Sequence, residues 1–416
     1  MSNTTSFKGL IFINDSLGEL DWIAPYVNLC GKRDLYFFVY LNLPKKTNAE
    51  KRQIFLRYFN ESRNIIYLND KIKFPNFLAI ADVYLNSILR RMSAVNFFLF
   101  KFTRFLVDLI RQLIGKLISL KIANQKYNLI FRDYNLKDSF ALSAFYSKNK
   151  DSKVIIFPHS TAIQSNSKNT PKNPPKIIEA DLFLENTSLS NHFSDAYKDI
   201  FVACGSPQID SFVKNNNILF DASSNNVLFI TRNCDPRFFG INYEDSGKIF
   251  EDTIIWANKN KIDIYVKHHP RDSRIKFWRS IQKRYQNVYE VETSLNDFEI
   301  PLRFAFCFYT SACLLMSARR VPVFDVSPYS GDPNTLPFHY IGNNNRIIHE
   351  LIEHEMCDQL NDITEFFDHN DESFLNERSR SQFEALVKNF PIDTIEIINA
   401  SLEKLLVQDI KDHYIY

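Results

Sequence analysis

The chain has 416 residues, 45% of them apolar, with a formal net charge of +2 drawn from 50 basic and 48 acidic residues. That length and apolar share fit two domains with cores of ordinary size rather than one. The near-balance of charge speaks against a protein that coats nucleic acid, and the polar start from Met1 to Lys8 has no apolar stretch of a secretory signal. The six cysteines (Cys30, Cys204, Cys234, Cys307, Cys313 and Cys357) form no CxxC pair and several lie in apolar runs, which predicts reduced core thiols in a cytoplasmic protein and argues against a zinc site.

In chain order, apolar runs of strand length begin with Gly9 to Asn14, Leu35 to Leu43, Asn64 to Leu68, Asn128 to Arg132 and Lys153 to Pro158. Helical patterns such as Glu19 to Leu29 and Ala49 to Asn60 lie between them, and this alternation predicts a doubly wound α/β domain. The run from Ile200 to Asp210 reads as its last strand followed by a glycine turn, and the polar segment Lys214 to Asn226 as a linker. A second series follows: strands at Val227 to Thr231, Asp263 to Lys267, Val288 to Val291, Ala305 to Phe308 and Pro322 to Val326, with helices between, including one over Ser311 to Arg319. The rest, from Asn345, is mostly helical in pattern. The expectation is α/β throughout, with two Rossmann-like domains, residues 1–215 and 216–416, facing across a cleft.

One stretch differs. From Phe97 to Lys121 the residues Lys101, Arg104, Asp108, Arg111, Gln112, Lys116 and Ser119 recur every three or four positions, which leaves a broad apolar face with a narrow basic stripe. Within bounds of about 93–121 this predicts an amphipathic helix with two readings. It either lies on an anionic inner membrane leaflet, aided by Arg90 and Arg91, or packs against the first domain.

Chemistry concentrates at predicted strand ends. Lys267, His268, His269 and Arg271 close one strand of the second series, and the proline after His269 restricts its backbone so that the ring can be aimed. An imidazole there can bond a phosphate oxygen or assist its departure. Thr310 and Ser311 follow a second strand at the start of a helix, where hydroxyls and backbone N–H groups suit an anion. Read as side-by-side strand tips, the two segments form a nucleotide phosphate cradle. The loop Thr231 to Arg237 puts Asp235 between Arg232 and Arg237, either as a salt-bridged anchor or as a nucleophile flanked by anion-binding groups. In the first domain, His159 follows a strand as a general base or as a loop-ordering residue. Asp15, Gly18 and Glu19 in the first strand-to-helix turn, and Arg132 with Asp133 and Tyr134 at another strand end, are candidates for acceptor contact, helix capping being the other role open to the acidic pair.

The Lys-x-His-Pro-Arg segment, the later Thr-Ser pair, Arg320 to Asp325, and the turn Gly205-Ser206-Pro207-Gln208-Ile209-Asp210 together resemble GT-B glycosyltransferases that use cytidine-linked donors. The likeness spans roughly residues 150 to 330. It is greatest toward retaining β-Kdo transferases and more distant toward sialyl- and polysialyltransferases and CDP-glycerol glycerophosphotransferases. It implies that His269, Thr310 and Ser311 contact the donor phosphate and that Asp235 sits where the Kdo enzymes carry a nucleophilic aspartate. His159 falls where the CDP-glycerol enzymes have a His-Gly-Thr motif, although Ser160 replaces the glycine here. The implied activity is transfer of Kdo or a nonulosonic acid from its CMP-linked donor to a bacterial capsule or lipopolysaccharide glycan, at the cytoplasmic face of the membrane and without a metal. A CDP-polyol phosphotransferase and a non-catalytic nucleotide-sugar-binding protein of the capsule machinery are the alternatives. A sugar epimerase is disfavoured, for want of an acidic and arginine constellation after the fifth strand.

Overall fold

The computed structural model describes residues 8–13, 17–30, 36–41, 65–67, 105, 109, 127–133, 151–158, 179–189, 197–232, 243–269, 275–308, 310–328, 351, 354–360 and 363–413. Two all-parallel sheets organise them. The first holds β1 (Lys8–Ile13), β2 (Tyr36–Leu41), β3 (Ile65–Tyr67), β4 (Leu129–Asp133), β5 (Lys153–Phe157), β6 (Leu182–Glu185) and β7 (Phe201–Ala203), in the order β3-β2-β1-β4-β5-β6-β7. The second holds β8 (Asn226–Ile230), β9 (Asp263–Lys267), β10 (Val288–Glu290), β11 (Phe304–Cys307), β12 (Val323–Asp325) and β13 (Asp358–Gln359), in the order β10-β9-β8-β11-β12-β13. Each chain path runs outward from its first strand and then jumps to that strand's other side, so each sheet has one point of reversal. These lie between β1 and β4 and between β8 and β11, and the crevice at such a point is where doubly wound sheets bind ligands.

Central strands such as β5, β8 and β11 read as nearly unbroken apolar runs because helices cover both faces. Along β11 all four residues, Phe304 to Cys307, are buried. Phe229 of β8 meets Phe306 and Phe308, and it lies edge-on to Phe250 of α3 (Tyr243–Lys259), which meets Trp278 of α4 (Ile275–Gln282) in turn. Phe304, Phe306 and Phe324 pack on Phe366 of α6 (Ile363–His369), while the opposite face of β11 is capped by the short α5 (Cys313–Ala318). Burying a phenylalanine stabilises by about 2 kcal/mol, so this aromatic layer holds the second sheet together.

In the first sheet, Trp22 and Tyr26 of α1 (Leu17–Cys30) pack against Phe157 and Phe131. The helix tolerates Pro25 inside it. Ile398 and Leu402 of the last helix, α8 (Thr394–His413), complete that same core. The tail, expected with the second domain, therefore divides: α7 (Glu372–Asn389) packs near α5, whereas α8 returns to the first domain.

The crossing point is the glycine turn. Gly205 has φ +86°, and a Cβ there would lie 2.2 Å from the Pro391 carbonyl oxygen and 2.6 Å from Thr394 Oγ1. Only glycine admits both that backbone and that approach. Just beyond it, α2 (Pro207–Lys214) presents Asp210, whose Oδ1 accepts the Asp393 N–H at 3.1 Å, and Lys214, whose Nζ lies 2.8 Å from Asp393 and 3.3 Å from Glu396.

Several expectations change. The strand β6 was not anticipated from the sequence because Leu182 to Glu185 is only four residues long, and β13, two residues long, lies in the tail read as helical. The helix expected from Ser311 begins at Cys313, with Ala312 as its N-cap. The helix Ala49 to Asn60 lies outside the described residues, as does the amphipathic stretch apart from Phe105 and Leu109.

Candidate functional site

The reversal point of the second sheet collects most of the predicted donor residues. Ile230 of β8 is in register with Lys267 of β9 on one side and Cys307 of β11 on the other. The tips of β9 and β11, read from sequence as neighbours, are therefore separated by β8. At about 4.8 Å per strand they stand roughly 10 Å apart, with Thr231 and Arg232 between them. The arrangement is one of three tips rather than two, and the middle tip carries Thr231, whose hydroxyl is buried.

Backbone bonds set these tips. The Thr231 N–H donates to Lys267 O at 2.9 Å and the Phe308 N–H to Ile230 O at 3.0 Å, which extends the ladder one residue past the strands. Thr310 is buried, and its Oγ1 accepts the Ala312 N–H at 3.2 Å, which shapes the turn into α5. Ser311 is half-buried beside it.

The two histidines divide in role. His268 is 7% exposed, with Nδ1 2.9 Å from Thr231 Oγ1 and Nε2 3.4 Å from Gln282 Oε1. It ties the β8 and β9 tips to α4. His269 is half-buried at the crevice end of β9.

Lys267 also departs from expectation. Its ammonium donates to the carbonyl oxygens of Val291, at 3.2 Å, and Thr293. Burial lowers its pKa, opposed by Glu290 and by Asp21 of α1. It braces the loop after β10. Glu290 in turn is held below the usual carboxylate range, chiefly by its paired hydrogen bonds with Arg279 at 2.6 and 2.9 Å.

Across in the first domain, Arg132 and Asp133 end β4 at that sheet's reversal point, and both are buried. Arg132, at 1% exposure, is folded into the protein and not presented to an acceptor. The sequence reading missed Glu185 at the end of β6. It is fully buried, its Oε1 accepts the Asn186 N–H at 2.9 Å, and its Oε2 has no partner among the described residues. Burial, countered by that bond and reinforced by Asp133, pushes its pKa from 4.5 to about 8, so the carboxyl is neutral at pH 7. Asn186 Oδ1 accepts from Trp22 Nε1 at 2.9 Å, which locks α1 over this end of the sheet. A short apolar run, Leu182 to Leu184, ending in Glu-Asn-Thr was the signal available.

His159, Asp235, Arg237, Arg271 and Asp15 lie outside the described residues. Gly18 and Glu19 fall in the first turn of α1, with their side chains outside that set.

No protein-family model matches the chain, and no curated protein matches it in sequence. Solved structures do match over nearly the whole length. A putative UDP-N-acetylglucosamine 2-epimerase from Listeria monocytogenes superposes with TM-score 0.56 at 12% identity, covering 96% of both chains. UGT2 of Phytolacca americana, complexed with UDP-2fluoro-glucose and pterostilbene, gives TM-score 0.53 at 8% identity over 96% of this chain and 99% of that one. A UDP-GlcNAc 2-epimerase from Neisseria meningitidis bound to UDP-GlcNAc gives 0.51 at 13% identity over 96% and 100%. These likenesses establish the architecture as GT-B, two Rossmann-like α/β domains.

Proposed function

We propose that the chain is a glycosyltransferase that holds a nucleotide-activated sugar at the reversal point of its second sheet. The observation that carries this reading is the placing of Arg232 and of Thr310 and Ser311 on strand ends at opposite sides of that point, with His269 at the next tip. Hydroxyls and a cation gathered on strand ends suit a phosphate whose charge grows as the glycosidic bond breaks. Fold neighbours crystallised with UDP or UDP-sugars support a nucleotide-sugar ligand in general terms.

The finer reading is a CMP-linked ulosonic sugar, Kdo or a nonulosonic acid, moved to a bacterial surface glycan. It rests on the motif resemblance around Lys267 to Arg271 and Thr310 to Ser311. In this scheme Thr310, Ser311 and His269 take the phosphate, Asp235 supplies the nucleophile of a retaining mechanism, and His159 is the general base on the acceptor. Attachment to the inner membrane face is part of the same proposal. Phe105 and Leu109, both helical and four residues apart, lie on one face at 64% and 42% exposure. No helix among the described residues is long and apolar enough to cross a membrane.

Isothermal titration with CMP, CDP and UDP tests the donor, and product analysis tests the reaction. The expected outcome is CMP binding at least tenfold tighter than CDP or UDP, and loss of sugar transfer in His269→Ala with unchanged thermal stability. Preference for CDP would turn the reading to polyol-phosphate transfer. Preference for UDP with isomerisation of the free sugar nucleotide would turn it to epimerase chemistry, and binding without turnover to a non-catalytic protein.

A further inference from the structure

Three of the six cysteines meet at one point of the second domain. Cys307 ends β11, Cys313 opens α5 and Cys357 immediately precedes β13; their sulfurs all lie within 4.8 Å of one another. All three are free thiols with at most 1% exposure. The spacing in sequence is uninformative, since only the pairing of β12 with β13 brings Cys357 across to the other two.

The geometry points to a trithiolate site for a thiophilic closed-shell metal ion, Zn(II) or Cu(I). A triangle with no side above 4.8 Å has a centre at most about 2.8 Å from each corner, against a zinc–thiolate bond of about 2.3 Å. Each sulfur would move inward by at most about half an ångström. Thiolate ligands select these soft ions over magnesium or calcium. Binding displaces the proton of each coordinating thiol to solvent, so the bond gained is sulfur to metal and no electron is transferred.

The surroundings suit an ion. Asp325 of β12 is in register with Cys307, lies on the same face of the sheet, and is fully buried with Oδ1 accepting from Ser327 Oγ at 2.6 Å. It offers a carboxylate toward a fourth position or as a partner just outside the sulfurs. Cys357 Sγ donates to the Val323 and Asp358 carbonyl oxygens at 3.6 and 3.7 Å, weak contacts that metal binding would replace, and Ser317 Oγ donates to Met356 O at 3.1 Å, which holds the Cys357 segment against α5.

The position gives the site a consequence. Cys307 and Cys313 bracket the turn that carries Thr310 and Ser311, so one ion would clamp both ends of that turn and join it to β13. This inference is independent of the transferase reading, because it concerns metal content and ligand set alone.

The test is elemental analysis and X-ray absorption on full-length protein purified from cells supplied with zinc or with copper. The expected result is about one ion per chain with a shell of three sulfurs at about 2.3 Å. A light-atom neighbour added to that shell identifies Zn(II) with Asp325 or water, and its absence identifies trigonal Cu(I). Cys313→Ser and Cys357→Ala, purified in parallel, should each carry less than a tenth of the wild-type metal. Wild-type protein with less than a tenth of an ion per chain, or with a shell of nitrogen and oxygen alone, overturns the assignment, and so does full metal content in both variants. The wild-type measurement decides the matter even where a variant fails to fold.

Discussion

Replacing Glu185 by glutamine isolates the cost of a buried carboxyl. The folded protein holds this group protonated up to about pH 8, whereas in the unfolded chain it ionises near its ordinary 4.5. Its contribution is therefore fully present below pH 4.5 and is lost as pH rises toward 8, above which the loss levels off. Each pH unit in that window corresponds to about 1.4 kcal/mol, so at pH 7 roughly 3 kcal/mol has gone. Glutamine keeps the oxygen that accepts the Asn186 N–H and removes the titration. Urea unfolding of wild type and Glu185→Gln at pH 5, 6, 7 and 8 should show the variant gaining relative stability by about 1.4 kcal/mol per unit. Because all other groups titrate in both proteins, the difference belongs to this site. A difference that stays constant within about 0.5 kcal/mol from pH 5 to pH 8 would refute the reasoning.

Three further outcomes follow from contacts elsewhere. Gly205→Ala should destabilise by about 3 kcal/mol or more, since it combines a left-handed backbone with a Cβ driven into the Pro391 carbonyl; a change under about 0.5 kcal/mol in denaturant unfolding would contradict it. His268→Ala should cost about 2 to 4 kcal/mol by removing a buried ring and its bonds to Thr231 and Gln282; in contrast with His269→Ala, a melting temperature equal to wild type would argue against its tying role. Arg319 is 1% exposed and donates to Leu295 O, Phe298 O and Asn217 Oδ1 at 2.6 to 3.2 Å. Arg319→Ala orphans those acceptors and should cost about 3 kcal/mol, whereas wild-type stability in thermal unfolding would show them satisfied otherwise.

Much of the fold was legible before any coordinates. The period of the apolar runs separates strand from helix locally, and a strand covered on both faces must be apolar along its buried length, as Val227 to Ile230 and Phe304–Cys307 are. The glycine of Gly205-Ser206-Pro207 likewise announces a turn, and Thr310 and Ser311 announce an anion-compatible loop. Shorter elements escaped: β6 and β13 are too brief for a period to emerge, and they exist because neighbouring strands offer them a ladder.

Strand order, however, is a property of pairing between distant segments, and no local pattern encodes it. It put β8 between two tips that the motifs alone had set side by side, turned His268 and Lys267 inward, and gathered Cys307, Cys313 and Cys357. It also drew Glu185 into a place where water is excluded, and only there does an ordinary carboxyl become one that keeps its proton at pH 7. Residue type sets what each side chain is able to do. Burial and partners, which arise from contacts across hundreds of residues, decide which of those capacities survives.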